Sequence, residues 1–259
     1  MLNSISGNRI KRGEVSAEFV EPFRNRSVES LTELLASSNA QERTSVAMIL
    51  GERQCESAIE PLCQALSIEG ALYSRLAICE ALIAIGLPAI VSVIELLGKI
   101  GINQHKALPQ KGFYKKSYPL PRDIAARTLI RMGTPVLECL AFVLTDGTRN
   151  QKLEALDVIG HISFQHKVTH SLRFLLELYF QNQDDPLLQW KIIRVFQAFP
   201  EEEVTDLLIG VAISKTEPAL RWEAVRSLSM QKRKINPQLI ENLRIDSDAE
   251  VRQLMDLFF

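Results

Sequence analysis

One pattern of small and apolar residues behind a basic side chain recurs along this chain. It reads Arg43-x-x-Val46-Ala47-x-x-Leu50, Arg75-x-x-Ile78-Cys79-x-x-Leu82, Arg122-x-x-Ala125-Ala126-x-x-Leu129, Lys152-x-x-Ala155-Leu156-x-x-Ile159 and Arg221-x-x-Ala224-Val225-x-x-Leu228. Offsets of three, four and seven put the apolar positions on one face of a helix, with the base at its edge. A helix with one apolar face must bury it against another element, and copies about every 30 residues supply that neighbour. The spacing therefore predicts a stack of helix pairs, and it shifts function from an enclosed pocket towards an extended binding surface.

Between these A helices the chain spells out the turns. Ile85-Gly86-Leu87-Pro88-Ala89-Ile90 is matched by Met132-Gly133-Thr134-Pro135-Val136-Leu137, and apolar B helices follow, ending at Leu97 and Leu144. Glycine ends helix A because it tolerates a left-handed conformation, and proline opens helix B where its missing N–H costs nothing. Ala58-Ile59-Glu60-Pro61-Leu62 is a looser version of the same start. Further pairs are expected over 153–164 with 168–180, 187–199 with 203–213, and 219–230 with 237–244. Asp248 to Arg252 opens one more A helix, a half-repeat ending in Leu257-Phe258-Phe259 that either folds back on its neighbour or is covered by a partner. Residues 25–36 read as a helix capped by Ser27, whereas 1–24 lack periodicity and are expected to be a loosely ordered extension to a single array over 25–259.

These stretches resemble HEAT-like repeats of the short bacterial and archaeal type, also called phycobilisome-lyase-type HEAT-like repeats. The carriers are the Arg-x-x-Ala-Ala-x-x-Leu helix, the Gly-x-Pro turn and the acid–base entry at Asp246–Arg252, over roughly residues 38–259. The resemblance implies an all-α, right-handed α-solenoid (superhelix) of about six HEAT-like helix pairs. It also implies that the Asp and Arg of these motifs bond between neighbouring repeats. Lys152 and Gln189 replace the Arg, so such a ladder is expected to be interrupted there.

Two irregularities stand out. Arg43 to Arg75 spans 32 residues but Arg75 to Arg122 spans 47, so a loop is inserted at about 99–121. It carries Lys99, Lys106, Lys111, Lys115 and Lys116 with His105, Phe113, Tyr114 and Tyr118, and no acidic residue. A long loop in a compact array is functional or disordered more often than not. Three readings stay open: a solvated loop whose aromatics tuck against the adjacent repeat, a grip on an acidic protein, or phosphate contacts with base stacking. The candidate partner-binding residues on it are Lys106, Lys111, Phe113, Tyr114, Lys115, Lys116 and Tyr118. The second irregularity is an acidic line. Glu60 and Glu138 occupy matching B-helix positions and Asp206 a similar one, on the helices that line the concave side in such repeats. That line would favour a basic partner, although scattered surface carboxylates read the same way.

Chemistry is thinly represented. No phosphate loop, nucleophile elbow or zinc-protease motif is present. His166 and His170 share a metal-like spacing with His161 nearby, but no further ligand completes the set, so neither a metal nor any other cofactor is expected. Trp190 and Trp222 are expected to pack between repeats. Cys63, Cys79 and Cys139 read as small core residues of a reducing, cytoplasmic protein. Thirty basic residues balance 31 acidic ones, which gives no bulk argument for nucleic acid or membrane. The expected function is thus a non-catalytic scaffold or adaptor that binds another protein, with self-association through the C-terminal half-repeat as a further expectation. The resemblance also implies two alternatives: a bilin lyase subunit that binds an open-chain tetrapyrrole, and a nucleic-acid-binding array.

Overall fold

The computed structural model describes residues 2–214, 216–231 and 235–259, with side chains from residue 7 onward. Sixteen α-helices and no strand occur among the described residues. They gather into two units, Met1–Ile102 with Asp123–Val136, and Asn103–Arg122 with Leu137–Phe259. The all-α helix-pair architecture expected from the repeats is what the structure shows.

Unit 1 holds α1 (Leu2–Lys11), α2 (Ala17–Val20), α3 (Val28–Glu33), α4 (Ala40–Glu52), α5 (Ile59–Ile68), α6 (Leu72–Ile85), α7 (Ile90–Ile94) and α8 (Ile124–Met132). Here α4, α6 and α8 are A helices, and α5 and α7 are B helices. The Asn39 side chain caps α4 by accepting from the Gln41 N–H, as Asp123 caps α8 by accepting from that of Ala126. Gly86 ends α6 at φ +80°, and Pro88 opens the turn into α7. The repeated apolar positions Val46, Ala47, Leu50, Ile78 and Leu82 have no exposed surface. Each such large aliphatic side chain contributes about 1.5–3 kcal/mol on burial.

The expectation of a loose N-terminal segment is corrected for residues 12–23. The Tyr73 N–H donates to the Arg12 carbonyl at 2.9 Å, and the Gln41 amide donates to the Glu14 carbonyl at 2.6 Å. Val20 and Phe23 are buried. The period was absent because these residues form short helical turns, too short to show one.

Unit 2 runs through α9 (Val136–Asp146), α10 (Arg149–His166), α11 (Leu172–Gln181), α12 (Pro186–Val195), α13 (Glu202–Ser214), α14 (Pro218–Gln231), α15 (Pro237–Arg244) and α16 (Ala249–Phe258). The A helices α10, α12, α14 and α16 pack in sequence order, each against the next. Helix α16 folds back on α14 and α15 and buries Val251, Leu254 and Met255, while Leu257 and Phe259 stay partly exposed.

Outside the α8 repeat, whose Arg122 is exposed, the residue at the basic position has a defined task. Arg43, Arg75, Lys152, Gln189, Arg221 and Arg252 donate to carbonyls of the turn before their own helix, at Ser37, Glu69, Thr145, Asn182, Thr216 and Asp246. These bonds help satisfy carbonyls that helix ends leave open. Arg43 and Arg221 also reach forward to the next repeat. They form bidentate pairs with Glu69 (2.7 and 2.9 Å) and Asp246 (2.9 and 2.8 Å). Lys152 and Gln189 keep the carbonyl bond and engage no carboxylate in this way, but Arg75 bonds only a carbonyl too, so the ladder is interrupted at a retained arginine as well as at the substituted positions.

Candidate partner-binding surfaces

The inserted segment does not hang in solvent. Residues 103–122 belong to unit 2 and lie across its A helices. Arg226 of α14 is the clamp. It has no exposed surface, donates to the backbone carbonyls of Phe113 (3.1 Å) and Ser117 (2.7 Å), and sets its guanidinium 5.1 Å over the Phe113 ring. Glu250 of α16 accepts from the Gly112 N–H at 2.9 Å and from the Tyr114 hydroxyl. Burial and this carboxylate push the Tyr114 phenol up to about 12. At the other end Tyr118 is buried between the rings of His161 and Phe164, against the bare Cα of Gly160. A Cβ at Gly160 would overlap the Tyr118 ring, so the absence of a side chain there makes room for the loop.

Beneath the loop lies a buried charge network. Lys191 donates to Glu154 (3.1 Å), Asp157 (2.9 Å) and the Leu153 carbonyl (2.9 Å). Arg194 and Arg226 both donate to Glu223, at 2.9 and 3.1 Å, and Glu223 has no exposed surface. Arg194 also stacks 3.8 Å over Trp190, whose ring meets those of Trp222 and His105. Desolvation, then the Lys191 charge, push the His105 imidazole down to about 4, so it is neutral at pH 7.

The candidate residues of the loop thus divide. Lys106, Lys111, Lys115 and Lys116 are exposed, with Lys116 reaching over the Phe258 ring. Phe113 and Tyr114 are half-buried against α14 and α16. Tyr118 is corrected: its side chain is 6% exposed and unavailable to a partner, because its ring fills the space over Gly160. Glu60 on α5, and Glu138 and Asp206 on α9 and α13, are all exposed. Trp190 and Trp222 pack against each other from successive A helices, as expected. His161 is buried while His166 and His170 are exposed, so the three histidines do not converge. Burial pushes the Cys63 thiol up to about 12, which suits a core side chain; Cys139, expected in the core as well, is half-buried.

No motif singles out Arg226, Glu223, Arg194, Lys191 or Glu250. Five residues past the basic position, α10, α12 and α14 carry Asp157, Arg194 and Arg226, but α6 and α8 carry Glu80 and Arg127 there too, so charge in this row does not by itself mark the covered face.

Unit 1 shows its own A-helix face. A groove of about 620 Å³ runs along α4 and α6, walled at one end by Gly13, Glu14 and Val15. Its lining includes Met48 (37% exposed), Leu76 (44% exposed), Ala77, Ala81 and Ala84. The charged residues lining it are all acidic: Glu14, Glu52 and Glu80. Each pairs with an arginine outside the lining, Arg9, Arg24 and Arg131 respectively. Among the described residues no helix is long and apolar enough to cross a membrane by itself, and no three His, Cys, Asp or Glu side chains gather as a metal site would need.

Residues 42–67 match the family model of the PBS lyase HEAT-like repeat. No curated protein matches the chain. Among solved structures, a designed armadillo repeat protein in complex with a (KR)4 peptide is 15% identical, covering 90% of this chain and 98% of its own, at a TM-score of 0.41. An engineered protein is 15% identical over 96% of this chain and 71% of its own, also at 0.41. The CpcE–CpcF complex of phycocyanin lyase from Nostoc sp. PCC7120 is 18% identical over 91% and 96%, at 0.34. At such identities and TM-scores these likenesses say nothing of ligand or partner. The matched repeat at 42–67 is HEAT-like, and the helix pairs of both units continue its pattern.

Proposed function

We propose that the protein is a non-catalytic interaction scaffold that holds a partner protein on its helix-pair surfaces. The observation that carries this reading is the loop itself. An irregular segment lies across four A helices of unit 2, held by side chains that grip its backbone, Arg226 on two carbonyls and Glu250 on an N–H. An array that binds its own chain this way has the means to bind another. The exposed lysines at 106, 111, 115 and 116 and the exposed carboxylates Glu60, Glu138 and Asp206 offer further contacts of both signs. A protein partner fits the loop better than a nucleic acid does. Stacking on bases needs open ring faces, and here Tyr118 is buried, Phe113 lies under Arg226 and Tyr114 is tied to Glu250.

Affinity capture from lysate of the source cell tests the reading, with three baits. These are the unaltered chain, a chain with lysines 106, 111, 115 and 116 changed to glutamate, and a chain with Glu60, Glu138 and Asp206 changed to lysine. A protein retained by the first and lost from one of the others supports the scaffold and places its contact. No stoichiometric protein on any bait refutes it.

A further inference from the structure

The two units offer a direct reading of what an A-helix face accepts. In unit 2 the rows one and five residues past the basic position, with their neighbours, carry the loop: Trp190 and Gln253 in the first row, Asp157, Arg194 and Arg226 in the second. On α4 and α6 of unit 1 the same rows are Thr44 with Leu76, and Met48 with Glu80. These line the groove along α4 and α6, and besides those two helices only the short strap 13–15 contributes to the lining among the described residues. The floor is smooth because Gly51 meets Ala81 directly, where a Cβ would come within 2.9 Å of the alanine methyl. Met48 and Leu76 stand partly exposed along it.

We propose that this groove is a docking site for an extended segment of a partner protein, one that sets an aromatic or large aliphatic side chain between lysines or arginines. This deepens the scaffold reading and rests on it. Three features select such an occupant. The floor is apolar and wide enough for a large side chain. The charged groups of the lining are all carboxylates, which favour a base and repel an acid. Their present arginine partners are exposed surface pairs, which hold weakly and exchange with an incoming cation. The segment in place on unit 2 has this composition, with Phe113 and Tyr114 between Lys111 and Lys115, and a carboxylate there holds both a backbone N–H and a tyrosine hydroxyl. An extended backbone fits better than a helix, because the strap 13–15 and the loop both lie on these faces without helical structure.

Fluorescence anisotropy with the full chain tests this. The probe is a labelled twelve-residue peptide of alternating lysine, phenylalanine and serine, and the control has glutamate for lysine. The lysine peptide is expected to bind at least tenfold more tightly than the control, and to weaken several-fold between low and moderate salt because the rim is exposed. Leu76→Arg is expected to weaken it at least tenfold, and the uncharged Leu76→Ser several-fold, with melting curves confirming that both variants fold. Equal binding of both peptides, no binding, or binding indifferent to both Leu76 substitutions overturns the proposal; indifference would move the site to unit 2 by displacement of the loop. Self-association of the chain that Leu76→Arg abolishes would also overturn it, by making a second copy the occupant. A captured partner that the Leu76→Arg chain still retains would leave the scaffold standing and remove only this groove.

Discussion

The A-helix faces of the two units share a sequence pattern and differ in what lies on them. Unit 2 carries charges and tryptophans on its face and covers them with its own chain. Unit 1 carries methionine, leucine and alanine there, with Glu80 exposed and paired to Arg131, and leaves a groove. Apolar surface can stay half-exposed at modest cost, but a desolvated carboxylate or guanidinium without partners cannot. Glu223, Arg194 and Arg226 need the company they have, and two of the three hydrogen bonds that Arg226 donates go to loop carbonyls, those of Phe113 and Ser117. The inserted loop is therefore as much a structural part of unit 2 as any of its helices.

The comparison breaks most sharply at the clamp. Arg226→Ala is expected to destabilise the protein by about 3 kcal/mol in chemical denaturation, the low end for breaking a buried ion pair because Glu223 keeps Arg194. Amide exchange over 112–118 should accelerate with it. If exchange there is unchanged, the loop is held by something other than the clamp. Next in size is Gly160→Ala, which pushes a methyl into Tyr118 and should cost about 1–3 kcal/mol. Tyr118→Phe removes a buried hydroxyl that has no partner, so alone it should leave stability unchanged or raise it by up to about 1 kcal/mol, and it should relieve part of the Gly160→Ala cost. A fully additive pair would show that the two side chains do not meet.

Acid should separate the units next. The docked His105 ring titrates near 4, below its free value of about 6.5, so docking favours the neutral ring. Its contribution is fully present above about pH 6.5 and is lost as pH falls towards 4. The groups around it are Lys191, Arg122 and Arg194, which oppose protonation, and Asp157, which favours it. Amide protection factors, which correct for the intrinsic fall of exchange in acid, are expected to drop over 103–118 between pH 7 and pH 5 while those of α4 and α6 hold. His105→Gln should remove the pH dependence. The smallest effect belongs to the open face. Leu76→Ser changes a partly exposed position that nothing covers, so stability should move by no more than about 0.5 kcal/mol. A larger loss would mean that Leu76 packs in a core.

The helix pairs were legible because period and punctuation are local. Ser27 caps α3, Gly86 ends α6, and Asp248 caps α16 from positions a short window reveals. The destination of the loop was not legible, since Phe113 meets Arg226 and Gly112 meets Glu250 across more than a hundred residues. Composition showed that the loop joins bases to aromatics, but only the fold shows that the rings turn inward and the lysines outward. Tyr118 illustrates the limit: its partner is the missing side chain of Gly160, and an absence on a distant helix leaves no mark beside the tyrosine. The groove was hidden for a related reason, since Met48 and Leu76 stand at positions the repeat pattern leaves free, where an apolar residue reads the same whether covered or not.

The tether of the loop has a kinetic consequence. A segment joined to its site by a short stretch of chain acts as a ligand at an effective concentration in the millimolar range. Any free segment aimed at the face of unit 2 competes against that standing local dose, and a weak binder loses. Covalent continuity therefore makes one face of the array selective by default, open only to strong competitors or to conditions that loosen the loop.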